Sequence, residues 1–151
     1  MIDQAGRVVH EIEVALPQDE VFEFFTDARR LVRWIGLSAS LSPVPGGRFR
    51  FEIQPGQFCE GAYIAVEPPA FVSFSWGWTD PAWNLPPGSS LVSVRLTITD
   101  GGTRVRLTHD RLPGDLRAIH DEGWAAFLAR LAAAAAATDT LSHHRCLFCW
   151  I

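Results

Sequence analysis

LVSVRLTITDGGTRVRLTHD, residues 91–110, decides the fold. Apolar residues alternate along 91–99 and again along 103–110, the period of two expected of a strand with one wet face. Asp100-Gly101-Gly102 between them is the strongest hairpin signal in the chain. In the second strand Val105, Leu107 and His109 face one way and Arg104, Arg106 and Thr108 the other. An antiparallel sheet built on this hairpin is therefore polar on one face and needs a cover on the other.

The cover follows directly. After Pro113-Gly114-Asp115 a long helix is predicted in which His120, Trp124, Phe127, Leu128, Leu131 and Ala135 recur at spacings of three and four, with Arg, Asp, Glu and Ala on the outer face. Upstream, the same period of two marks strands at 71–78 and at 58–66, the latter closed by Pro68-Pro69. A further strand at 48–53 follows the turn Pro45-Gly46-Gly47, with Phe49, Phe51 and Ile53 alternating with Arg48, Arg50 and Glu52. The first strand, 8–15, sets Val8, His10, Ile12 and Val14 against Val9, Glu11, Glu13 and Ala15, and Pro17 ends it. A helix with early acidic residues Asp19 and Glu20 spans 17–26, and a second short one runs through Leu31 and Trp34. Strand, two helices, five strands and a long helix make an α+β roll over residues 1–137, with 138–151 as a C-terminal tail.

Composition narrows the function classes. The 151 residues suit one domain, and 48% hydrophobic content supports a core without disulfides. All 13 basic residues are arginine, so Schiff-base chemistry and a P-loop phosphate clamp are excluded. A net charge of -4 without a basic cluster argues against nucleic acid as a partner. No apolar run approaches the roughly 18 residues needed to span a bilayer, and three cysteines form no disulfide framework. A soluble cytoplasmic protein with no membrane partner is the expectation.

Taken in order, several short pieces carry a resemblance: Val21-Phe22 after the Pro-led acidic turn, Trp34, Pro45-Gly46-Gly47-Arg48-Phe49, and Gly61-Ala62-Tyr63 before Glu67-Pro68-Pro69. Phe74-Ser75-Trp76-Gly77-Trp78, Gly101-Gly102-Thr103 leading to Leu107-Thr108-His109, and Gly123-Trp124 leading to Leu128 and Leu131 complete it. In that order and spacing, over residues 8–131, the chain resembles the SRPBCC or START-like superfamily, in the branch of homologues of the activator of the heat-shock chaperone ATPase. The resemblance implies a helix-grip, birch-pollen-allergen-like fold with a deep apolar cavity between sheet and terminal helix, used across the superfamily for hydrophobic molecules. It also implies that the first and last strands pair antiparallel, which would make His10 and His109 neighbours. A small hydrophobic ligand is the expected partner, with no cofactor, and homodimerisation is left open.

Candidate pocket residues follow from strand and helix parity. His10, His109 and His120 sit on the predicted inner faces, where a neutral imidazole can serve as acid, base or polar anchor. Trp34, Phe49, Phe51, Phe74, Trp76, Trp78, Trp124 and Phe127 are wall candidates, although a filled core uses the same residues. Trp83 lies in the turn-rich segment 79–88 and reads as the apolar tip of a flap. Glu60 shares parity with Phe58 and Ala62; if that face points inward it is the one acidic group in the pocket and the best lone general base. Cys59 reads as a small core or pocket residue. The tail has a Cys146-x-x-Cys149 beside His143 and His144, yet four ligands within seven residues lack the usual paired zinc spacing, so no metal is expected. With no Gly-x-Ser-x-Gly elbow, hydrolase chemistry lacks a nucleophile. Ligand binding is the leading expectation. A cyclase- or dehydratase-like enzyme using a pocket His or Glu, and an interaction protein for a chaperone or regulator, are its alternatives.

Overall fold

The computed structural model describes the backbone of residues 1–148 and the side chains of residues 1–137. The order is β1 (Val8–Val14), α1 (Gln18–Glu23), α2 (Ala28–Leu31), β2 (Ser38–Leu41), β3 (Arg48–Gln54), β4 (Gln57–Glu67), β5 (Phe71–Trp76), β6 (Ser90–Thr99), β7 (Gly102–Asp110) and α3 (Gly114–Phe148), with a 3-10 turn at Pro81–Trp83 between β5 and β6. The strands form one sheet in the order β1-β7-β6-β5-β4-β3-β2, every pair antiparallel. This is the α+β helix-grip architecture the sequence predicts.

The hairpin that opened the reading forms as expected. Leu91 pairs with Asp110 and Thr99 with Gly102, so Val92, Val94, Leu96, Val105, Leu107 and His109 share the buried face. Arg104 and Arg106 lie outside, where they meet Glu11 and Glu13 of the paired β1. Helix α3 lays Trp124, Leu128, Leu131 and Ala135 on the buried face, all nearly inaccessible to solvent. Two indole and phenol groups anchor the first helices below the sheet. Trp34 Nε1 donates to the Phe24 carbonyl at 3.0 Å and Tyr63 Oη to that of Phe25 at 2.8 Å. Asp27 caps α2 by accepting from Arg29 N at 2.8 Å.

Three details depart from the sequence reading. The sheet gains a seventh strand, β2, whose Ser-Ala-Ser-Leu is too polar to show a buried face and which lies on the edge, paired only with β3. β5 ends at Trp76 instead of Trp78, and Trp78 continues only as an isolated bridge to Cys59. Gly77 makes this possible: a Cβ there would stand 1.8 Å from the Pro86 carbonyl oxygen, so only a glycine lets the 79–88 segment fold back this closely. Helix α3 also runs through residue 137 without a break, so the boundary drawn there is internal to a helix. The side chains of Cys146, Cys149, His143 and His144 lie outside the described part, and with them the tail readings.

Candidate functional site

Between β5, α3 and the folded-back segment lies an apolar cleft of about 170 Å³, lined by Ile53, Trp76, Trp78, Trp83, Ile119, His120, Gly123, Trp124 and Phe127. Each element supplies its share by simple periodicity. Trp76 ends β5 and Trp78 lies two residues on, bridged to Cys59, and both are buried. On α3, Ile119, Gly123 and Phe127 form one row four residues apart, with His120 and Trp124 beside it. Trp83, carried on the 3-10 turn, stacks on Trp78 with ring centroids 5.0 Å apart at 22° and covers one side of the cleft. Trp76 meets Trp124 at 5.0 Å and Trp78 at 5.3 Å, forming the floor.

Two histidines stand behind and beside this wall, and indoles fix the protonation of both. Trp124 Nε1 donates to His109 Nδ1 at 2.9 Å; an indole can only donate, so that nitrogen carries no proton. The His109 Nε2–H then donates to Ser90 Oγ at 2.8 Å, and the Ser90 hydroxyl donates to the Trp76 carbonyl at 2.8 Å. Trp78 Nε1 in the same way donates to His120 Nε2 at 3.1 Å, leaving His120 Nδ1–H to donate to the Leu116 carbonyl at 2.8 Å. The two rings meet edge to face at 5.2 Å. Burial lowers the pKa of His109 well below the ordinary histidine value, and the nearby His120 adds to the effect. Burial also lowers that of His120, against the opposing pull of the Leu116 carbonyl. Both rings are therefore neutral and fully hydrogen-bonded at neutral pH.

Of the pocket candidates, Trp76, Trp78, Trp83, His120, Trp124 and Phe127 line the cleft. Phe49, Phe51 and Phe74 form a buried aromatic stack behind Trp76, with Phe49 on Phe74 at 3.9 Å and Phe51 against Trp76 at 5.3 Å. Trp34 packs against Phe25 at 5.2 Å, away from the cleft. His109 sits behind Trp76 and Trp124 in the wall. The strand register pairs Val8 with His109, so His10 lies two residues along, opposite Leu107. His10 there engages Asp121 of α3 at 2.8 Å, and Asp121 also takes the Met1 amine. The Met1 amine chiefly, and His10 after it, hold the Asp121 carboxyl below its usual range.

Glu60 requires a correction. β4 turns Cys59 and Tyr63 inward, which puts Glu60 on the outer face, half-exposed and 3.3 Å from Arg50. The hydrophobic Phe58 misled the parity, because it too is outside, under the Arg50 guanidinium at 3.9 Å. Glu60→Gln is accordingly expected to change stability by less than about 0.5 kcal/mol, as for an exposed ion pair, and to leave ligand binding unchanged; chemical denaturation and titration check both. Cys59 is fully buried, and burial pushes its thiol well up, so it is an inert core residue. Among the described residues no group of three His, Cys, Asp or Glu could hold a metal, and no helix is long and apolar enough to cross a membrane.

Ile53, Ile119 and Gly123 line the cleft without having been singled out. A glycine in the middle of an otherwise Ala-rich helix was the available signal for the last.

A curved antiparallel sheet, a long terminal helix and an apolar cleft between them define a START-like ligand-binding fold. The family model for Activator of Hsp90 ATPase homolog 1-like protein matches residues 15–136, and the chain belongs to that family. Its fold is shared with AHSA1-like protein RHE_CH02687 from Rhizobium etli at 35% identity and TM-score 0.67, covering 89% of this chain and 87% of that one. Protein MLL2253 from Mesorhizobium loti is similar at 26% identity and TM-score 0.74, covering 85% and 95%. DynU16, a protein of the dynemicin biosynthetic locus, is similar at 28% identity and TM-score 0.71, but the match covers 84% of this chain and 46% of DynU16. No curated protein matches the chain.

Proposed function

We propose that the chain binds a small, uncharged, largely aromatic molecule in the cleft between β5 and α3. A volume of about 170 Å³ suits a guest of one substituted ring, since apolar cavities of about 150 Å³ accept benzene. The setting of DynU16 in a biosynthetic locus agrees with a small-molecule partner.

Gly123 carries this reading. Glycine in a helix interior costs about 1 kcal/mol against alanine, and that cost usually reflects a neighbour packed too close for a side chain. Here a Cβ at residue 123 would meet nothing within 4 Å, although the residue faces the cleft wall. The glycine therefore keeps space open beside Trp124. In a filled core that space would be taken by a methyl group or larger, because interiors are packed to crystal-like density.

Gly123→Ala is expected to stabilise the protein by about 1 kcal/mol through helix propensity. Gly123→Leu should keep the fold and remove binding, because its side chain occupies the guest's place. Thermal shift and calorimetry with benzene, toluene, indole and naphthalene test this. Wild type should be stabilised by at least one of the four and Gly123→Leu by none. Equal binding by both proteins, or no binding by wild type, would sink the proposal.

The geometry gives less to the proton-transfer alternative. Its carboxylate, Glu60, is outside, and both ring nitrogens of His120 are engaged by Trp78 and Leu116.

A further inference from the structure

We infer that the guest is an aromatic ring carrying a short hydrocarbon chain, and that the chain leaves the cleft over Ile119. This rests on the reading of the cleft as a ligand site and specifies the substituent of what enters it.

The inference follows from where the lining is open. Trp76, Trp78, His120 and Trp124 are buried, whereas Ile53, Trp83 and Phe127 are partly exposed and Ile119 is 49% exposed. Among the described residues of α3, Ile119 is the one large apolar side chain that solvent reaches to this extent. An exposed isoleucine standing alone needs no explanation, because apolar atoms make up more than half of a protein's surface. This one also lines the cleft. It therefore marks the mouth, and it makes that mouth apolar.

Size and charge decide what passes there. A space of about 170 Å³ is taken up by one ring with a small substituent, so a longer chain on that ring must run outward. Ile119 stands about one helical turn before Gly123, about 6 Å along α3, within reach of a short chain on a ring seated beside the glycine. No arginine or carboxylate lines the cleft, and burial keeps His120 neutral, so nothing at the mouth draws a charged substituent. A hydrocarbon chain gains by covering the Ile119 side chain, at about half the value of full burial because its outer side stays wet.

Toluene and butylbenzene, which share the ring and differ only in chain length, test this on the intact protein. By calorimetry butylbenzene should bind wild type about eightfold more tightly than toluene, about twofold for each added carbon against about fourfold for complete burial. In Ile119→Ser that ratio should fall to about twofold or less. The variant should fold, because the side chain is exposed and serine is close to isoleucine in helix propensity. In wild type, NMR should show nuclear Overhauser effects from the terminal methyl of bound butylbenzene to the Ile119 methyl groups. A ratio unchanged in Ile119→Ser, or butylbenzene binding no more tightly than toluene, overturns the inference while the cleft remains a ligand site. If neither probe binds, the ligand-site reading itself fails and takes the inference with it.

Discussion

Trp124→Ala is expected to destabilise the protein by about 3–5 kcal/mol, the usual cost of deleting a buried large aromatic side chain. The ring is 2% exposed and packs against Trp76, His109 and Phe127 at centroid distances of 5.0, 6.0 and 5.9 Å. Two losses add together. The first is the contact between helix and sheet, because Trp124 is the largest side chain that α3 places on the buried face. The second is the hydrogen bond to His109 Nδ1, whose loss leaves a buried acceptor without a partner at about 1–3 kcal/mol. Trp124→Phe separates them by keeping most of the ring and removing only the N–H, and should fall between alanine and wild type. Urea unfolding of both variants measures this. A loss under 1 kcal/mol for Trp124→Ala would mean that α3 is not held to the sheet through this residue.

How far the sequence reveals such a site depends on how many faces of an element are apolar. β6 and β7 alternate cleanly because their outer faces carry Arg95, Thr97, Arg104 and Arg106, so the register and the inner position of His109 could be read directly. β4 could not be resolved in the same way. Phe58, Ala62 and Ile64 on its outer face are as apolar as Cys59 and Tyr63 on its inner one, and only the arginine lying over Phe58 explains how that ring tolerates water. β2 stayed hidden because an edge strand of four residues buries too little to need a pattern.

For the site, helical spacing identified His120, Trp124 and Phe127, and strand parity identified Trp76. Whether those residues fill a core or leave a cleft depends on the space left open beside Gly123, and no periodicity reports on empty space. The hydrogen bonds that set the two histidine tautomers were equally invisible. They join β7 to α3 and β5's continuation to α3 across separations of 15 and 42 residues.

Those histidines give the protein a stability that falls in mild acid. In the unfolded chain both titrate near 6.5, whereas in the folded protein burial depresses both, His109 strongly. Below 6.5 the unfolded state therefore binds more protons than the folded one, and stability rises with pH across that window. The contribution is fully present above about pH 6.5 and declines as pH falls toward the folded-state values, with a slope approaching about 1.4 kcal/mol per pH unit for each histidine. Protonating His109 would also force its Nδ1 to give up the Trp124 N–H, coupling the loss to the same contact that holds α3 on the sheet. The depressed carboxyls of Asp121 and Asp3 act in the same direction but only below about pH 4, so they leave the window from pH 5 to 6.5 to the histidines. Denaturation midpoints measured from pH 8 to 5 should be flat down to about pH 7 and then fall. In His109→Gln, where an amide replaces the titrating ring, the fall should be shallower by roughly one histidine's share. A profile as steep in that variant as in wild type would place the acid sensitivity elsewhere, and a flat wild-type profile would mean that the rings accept protons inside the fold.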